Sequence, residues 1–243
     1  MLISIFKTDK VLATHFFKIY DVKRSKFITS IAILCIIFLW SIFNPVTSDY
    51  IPSLKAEYSL RSIDNIFDYT VPLLCTLIIC LVFFNDYKNK THEFLAFYNK
   101  YDFNYIIFYR WILYVLLFCI GAFISASVYY RNVSFLDGTS LLLSLRFIPN
   151  ILFLSSMYLF LTTLTKNNYI GLFATITYFT LDLLSGGRLF KVFSIGAHAN
   201  NFYYAISPTY YLVNRLLITV LSITFLFFAC KKSLNINLPF KHH

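Results

Sequence analysis

Charge is scarce in this sequence. Only 13% of its 243 residues are Asp, Glu, Lys or Arg, 58% are hydrophobic, and mean hydropathy is +0.67. A soluble domain carries about 25% charged residues, so the surface of this chain is not built for water alone. Glycine and proline are few, six of each, which argues against low-complexity linkers. The five cysteines, Cys35, Cys75, Cys80, Cys119 and Cys230, form no CxxC and no Cys/His metal spacing. They read as small apolar residues, with no disulfide framework implied. No GxxxxGK[ST] stretch is present, so the usual phosphate-cradling loop is missing.

The apolar residues gather into runs near membrane-spanning length. Six spans are expected, at 27–44, 69–84, 111–129, 147–164, 169–184 and 212–230. Helices are the natural form, because backbone polar groups in lipid must be satisfied within the segment. Pro72 and Pro149 fall near span ends, where a helix tolerates them. The expectation is an all-α polytopic membrane protein forming one transmembrane domain over 1–243. Residues 2–20 place Leu2, Ile5, Leu12, Phe16 and Ile19 on one side of a helix and Lys7, Lys10 and Lys18 on another. That pattern suits an amphipathic helix lying in the cytoplasmic interface, within a leading segment 1–26. No small-residue cleavage site follows, so a signal peptide is not expected.

Basic residues set the orientation. With the N-terminus inside, fourteen Lys and Arg fall on the cytoplasmic side and six outside, with Arg215 left in the last span. Both termini and the segment 85–110 are then cytoplasmic, and the segment 185–211 is external. The net charge of +10 flanks the apolar runs and does not form one basic face, so nucleic acid is not an expected partner. Membrane lipid is.

The stretch Lys88–Phe103 interrupts the apolar pattern. His92 and Glu93 stand side by side, but HExxH fails because position 96 is Ala96. Adjacent residues on a helix also point about 100° apart and do not converge on one metal. Thr91 suits an N-cap, Glu93 suits the first turn of a helix, and Asn99 suits its end. Between them stand Phe94, Leu95, Phe97 and Tyr98, an apolar face outside the membrane that a partner protein or the headgroup region would cover. A docking helix is the favoured reading, and a plain membrane-surface loop is the alternative.

This layout resembles the membrane subunit of an ABC transporter of the type-2 exporter class. The resemblance covers nearly the whole chain and rests on layout, supported by two local patterns. Lys90-Thr91-His92-Glu93-Phe94-Leu95, followed by Arg110 at the entry to the third span, is similar to the family's coupling region. Lys90 replaces a common glycine there, and Asn99-Lys100-Tyr101 stands where a proline-containing break is common. Ile206-Ser207-Pro208-Thr209-Tyr210 is similar to a Ser-Pro element before the last span. The resemblance implies a second permease subunit and a separate ABC ATPase, docked through Thr91, His92, Glu93, Phe94, Leu95, Phe97 and Tyr98. It implies no catalysis and no cofactor on this chain, with ATP and Mg2+ held by the ATPase. It also implies a bacterial cytoplasmic membrane location. Small permeases of this class and size often serve peptide export or self-immunity, so an amphipathic peptide is the expected cargo. A lipid or a drug is the alternative cargo.

Three further features carry weight. Asp182 is the only acid inside an expected span, and such acids are costly and commonly functional or paired. It is solvated or paired with Arg188, or else it serves an ion-coupled secondary transporter. The external segment holds Phe190, Phe193, Phe202, Tyr203 and Pro208, an outer gate or an ordinary aromatic belt. Gly121, Ala122, Ser125 and Ala126 give a small-residue face for close helix packing, within one subunit or between two. Arg146 and Arg215, near span ends, are placed to snorkel. All five histidines lie outside the spans, and no paired intramembrane residues suggest an enzyme.

Overall fold

The computed structural model describes residues 24–46, 66–88, 103–132, 145, 147–196 and 208–233. Those residues are helical apart from turns and short irregular ends. Six helices follow in order: α1 (Arg24–Phe43), α2 (Val71–Lys88), α3 (Phe103–Tyr129), α4 (Ile148–Thr165), α5 (Asn168–Ser185) and α6 (Pro208–Ser233). A π-helical turn, Ile66–Thr70, leads into α2, and a 3-10 turn, Lys191–Phe193, lies between α5 and α6. The expected leading amphipathic helix lies outside the described residues.

Five of these helices are long and apolar enough to cross a membrane: α1, α2 with its π-turn, α3, α4 and α6. The sixth expected span, α5, is a helix of 18 residues like α4, but it does not belong to that set. Asn168, three threonines, two tyrosines and Asp182 dilute its apolar content. Two boundaries also move. The third helix begins at Phe103 instead of 111, because nothing between Phe103 and Trp111 breaks a helix and Arg110 is neutralised by pairing. The second helix runs on to Lys88, so the segment expected at 85–110 narrows to a connection at 89–102. The last helix starts at Pro208, where proline's missing N–H and fixed φ fit a first helical turn.

α4 is the hub. It packs against α6, α5, α2 and α3, and its apolar window is 56% buried, with α2 at 61%. α1 and α6 bury only 22% and 28% of theirs, and their uncovered residues are large and apolar, including Ile36, Leu39, Leu216, Val220 and Ile223. In hydrocarbon such faces need no cover, since lipid tails are as apolar as leucine. The core between the helices is dominated by fully buried rings, Phe67, Phe83, Tyr114, Phe118, Phe147 and Tyr158. At one end of the bundle Trp40 stacks on Tyr129 at 5.5 Å, and Phe67 meets both Tyr129 and Phe147 at 5.4 and 5.1 Å.

Small residues let backbones approach. Gly121 faces α1, where an added Cβ would stand 2.7 Å from a methyl of Leu34, and Ala122, Ser125 and Ala126 are buried. The small face of α3 therefore packs within this chain. Gly171 sits where α5 crosses α4, and an added Cβ would lie 3.0 Å from the Thr162 backbone nitrogen and 3.1 Å from the Tyr158 carbonyl oxygen. The α4–α5 reversal is tight. Lys166 caps α4 in a left-handed conformation, and the Asn167 side chain accepts from the Tyr169 and Ile170 amides, as a capping asparagine does.

Candidate functional site

Two polar layers hold the bundle, one at each end. At the end next to the 89–102 connection, Arg110 Nη1 donates to Asp86 Oδ2 at 2.6 Å, joining α3 to the last turn of α2. Arg110 is 3% exposed and Asp86 13%. One residue on, Trp111 Nε1 donates to Ser155 Oγ of α4 at 3.2 Å. Asn168, opening α5, accepts from the Tyr158 hydroxyl of α4 and donates to Cys80 Sγ of α2. Four helices thus share one polar stratum flanking the connection. The docking residues expected from sequence, Thr91, His92, Glu93, Phe94, Leu95, Phe97 and Tyr98, lie outside the described residues.

The opposite layer centres on Asp182 in the last turn of α5. The residue is fully buried. Its Oδ2 accepts from the Tyr69 hydroxyl, the Ser194 hydroxyl and the Ile195 amide, each at 3.0 Å, and from the Gly196 amide at 3.4 Å. The Ser194 hydroxyl also lies 3.1 Å from the Gly196 carbonyl; having one proton, it donates to one of the two acceptors at a time. Asp182 is therefore neither solvated nor paired with Arg188, as sequence had suggested. Backbone and hydroxyl donors take the place of both, because the chain after α5 folds back onto it.

That fold-back is built from local geometry. Gly186 and Gly187 have φ of 59° and 78°, which reverses the chain at the end of α5, a conformation glycine adopts without a Cβ clash. Residues 186–196 then return as a strap. α6 holds its other edge. Asn214 Nδ2 donates to the Val192 carbonyl and, at 2.9 Å, to the Ser194 carbonyl. Arg215 Nη2 donates to the Ile195 carbonyl at 3.3 Å, and its Nη1 donates to Asn150 Oδ1 of α4. The Asn150 Nδ2 in turn reaches Asp68 Oδ1 and the Asp68 carbonyl in the π-turn before α2, at 3.3 and 3.2 Å. Arg215 does not snorkel. It is 8% exposed, because these acceptors lie inside the bundle. Asp68 is likewise buried.

The expected gate residues divide. The ring of Phe190 packs on Tyr178 at 4.3 Å, and the Tyr178 hydroxyl donates to the Phe193 carbonyl while the Phe193 ring stays half-exposed. Pro208 opens α6. Phe202 and Tyr203 lie outside the described residues. Sequence reading did not reach Tyr69, Asn150, Ser194 or Asn214. A faint signal existed, since the Asn214-Arg215 pair and the lone Asn150 are polar residues within one turn of the start of apolar runs.

Chemically, this layer satisfies the irregular backbone of the strap where it is buried against the bundle, as buried backbone groups require. Among the described residues no group of three or more His, Cys, Asp or Glu could hold a metal ion. One face of α5 adds a second feature. Thr177 and Thr180 are exposed, between Phe173, Ile176, Leu181 and Leu184. Thr29, Thr165 and Thr224, exposed on other helices, donate to the carbonyl four residues back; the hydroxyls of Thr177 and Thr180 have no partner among the described residues. No family model matches the chain, and comparison with curated proteins and with solved structures finds no match.

Proposed function

We propose that this chain is the transmembrane subunit of an ATP-driven exporter of the ABC type, with both termini and the 89–102 connection cytoplasmic and the strap external. The observation that carries this reading is the outward face of α5. A helix that packs on α4 and α2 along one side, and on the other leaves two threonine hydroxyls uncovered among aromatic and aliphatic side chains, is poorly suited to lipid. It suits a path shared with a second permease subunit. α5 then completes a set of six spans in the bacterial cytoplasmic membrane. Its mixture of Phe173, Leu184 and threonine hydroxyls matches an amphipathic cargo, and a toxin-like or antimicrobial peptide is the proposed substrate.

Energy comes from a separate ATPase, since the chain lacks a phosphate-binding loop. The Asp86–Arg110 pair and the Trp111–Ser155 bond tie the helices flanking 89–102 to α4, so a force applied to the connection reaches the hub. Nucleotide-driven closure of two ATPases would bias the bundle between conformations. An ion-coupled carrier would instead require Asp182 to bind and release its ion. The saturation of its Oδ2 by four donors favours a holding task.

The test is affinity capture of the tagged chain from its native membrane. A soluble Walker-type ATPase is expected to co-purify and to be lost with Phe94→Asp or Leu95→Asp. An ATPase that co-purifies unchanged with both variants refutes docking through this stretch, and the absence of any ATPase from the native chain refutes the ABC reading.

A further inference from the structure

Residues 192–196 are gripped on both backbone edges by side chains from different helices. Asp182 of α5 takes the amide edge, accepting from Ile195 and Gly196. Asn214 and Arg215 of α6 take the carbonyl edge, donating to Val192, Ser194 and Ile195. An acid for N–H groups and an amide plus a guanidinium for C=O groups is the complementary choice. The Ile195 side chain is fully buried against Tyr69, Phe153, Leu154 and Ile218, so the strap plugs the space among α2, α4 and α6.

The same strap carries the means to leave. Gly186 and Gly187 hinge it at one end. Lys191 is held at φ 49°, a left-handed conformation that a residue with a Cβ adopts only under local constraint. Its exposed side is greasy but uncovered, with Leu189 and Phe193 about half accessible. Asp182 Oδ1 and Asn214 Oδ1 are buried without a hydrogen-bond partner among the described residues. Both side chains therefore have acceptor capacity that the docked strap does not use and that water can satisfy on release.

We propose that residues 190–196 form a latched gate strap over the end of the bundle, and that Asp182 is its latch: a positioning residue that holds the strap by its backbone amides, not a carrier of ions. The latch also reaches the π-turn that leads into α2, through Tyr69, so movement of that turn against α5 pulls on the same oxygen that holds the strap. Under the exporter reading this strap is the outer gate. That assignment of function rests on the proposal above; the latch itself does not.

The experiment uses full-length protein in cells and places a cysteine at the plug with Ile195→Cys, in otherwise native, Asp182→Ala, Ser194→Ala and Arg188→Ala backgrounds. The readout is the labelling rate with a membrane-impermeant methanethiosulfonate, corrected for the chain without the new cysteine. Every background shares Ile195→Cys, so the cost of that change cancels. In permeabilised cells, losing the acceptor shared by the Ser194, Ile195 and Gly196 donors raises the labelling rate on the order of a thousandfold, at about tenfold per strap bond lost. Ser194→Ala, which removes one donor, raises it about tenfold, and Arg188→Ala leaves it unchanged. The graded series separates release of the strap from general misfolding, and equal expression and detergent melting of the Ser194→Ala protein confirm it. Equal rates in native, Asp182→Ala and Ser194→Ala backgrounds overturn the latch. Intact cells test the exporter reading separately: labelling there places the strap outside, while acceleration confined to permeabilised cells leaves the latch standing and refutes the external gate.

Discussion

Asp86→Asn offers a direct test of how the 89–102 end is held together. The substitution keeps the shape of the side chain and removes its charge. Arg110, 3% exposed, then keeps its guanidinium in the bundle without the carboxylate 2.6 Å away. Removing one partner of a buried ion pair costs about 3–5 kcal/mol, because the remaining charge loses its counter-charge. Asp86 retains some contact with solvent, at 13% exposure, so the low end, about 3 kcal/mol, is appropriate. For a chain of this size each kcal/mol moves Tm by about 2–4 °C, which gives a fall of about 6–12 °C in detergent. Removing both charges with Asp86→Asn and Arg110→Gln should recover part of the loss, since the double variant strands no ion. The assay is thermal unfolding of the purified chain, native, singly and doubly substituted, read as a double-mutant cycle. A loss below about 1 kcal/mol for Asp86→Asn, or a double variant as unstable as the sum of the singles, would refute the reasoning that this pair is a buried joint.

Two other outcomes follow from the packing. Gly171→Ala should destabilise by about 2–3 kcal/mol and more than Gly121→Ala, although both glycines sit at helix crossings. At Gly171 the new methyl meets backbone atoms of α4, whereas at Gly121 it meets the flexible end of Leu34; paired melting curves in detergent check the order. Asn150→Leu should cost about 2–4 kcal/mol, because it removes an acceptor of Arg215 and a donor to Asp68 together, two buried hydrogen bonds to charged side chains. Asn150→Asp keeps the acceptor for Arg215 but turns a carboxylate oxygen toward Asp68 in place of the donor, so it should also destabilise, and a melting series of the two variants checks both.

Much of the helical layout was legible because lipid demands it. Long apolar runs can only be helices, and five of the six expected spans coincide with helices apolar enough to cross a membrane. The sixth differs because Asp182, Asn168 and the α5 threonines serve contacts made by other parts of the fold, which hydropathy counts only as polarity. The start of α3 was misplaced for a related reason. Arg110 looked like a boundary because a lone charge marks the membrane edge, but Asp86, twenty-four residues away, neutralises it. Asp182 was legible as unusual and its neighbourhood was not. Arg188 was the obvious partner by sequence distance, but two glycines turn the chain so that backbone amides arrive first. Asn150 and Asp68 lie 65 and 82 residues from the partners that explain them, and no local pattern carries such a pairing.

The face of α5 tests the account most directly. Thr177→Cys and Thr180→Cys should react with a small water-soluble thiol reagent in native membranes. Ile36→Cys on α1 and Val220→Cys on α6, which are also exposed in the single chain, should not. Reaction confined to the α5 positions is the predicted result. Four positions that are equally inert would place α5 against lipid and contradict the proposal that this chain lines a path.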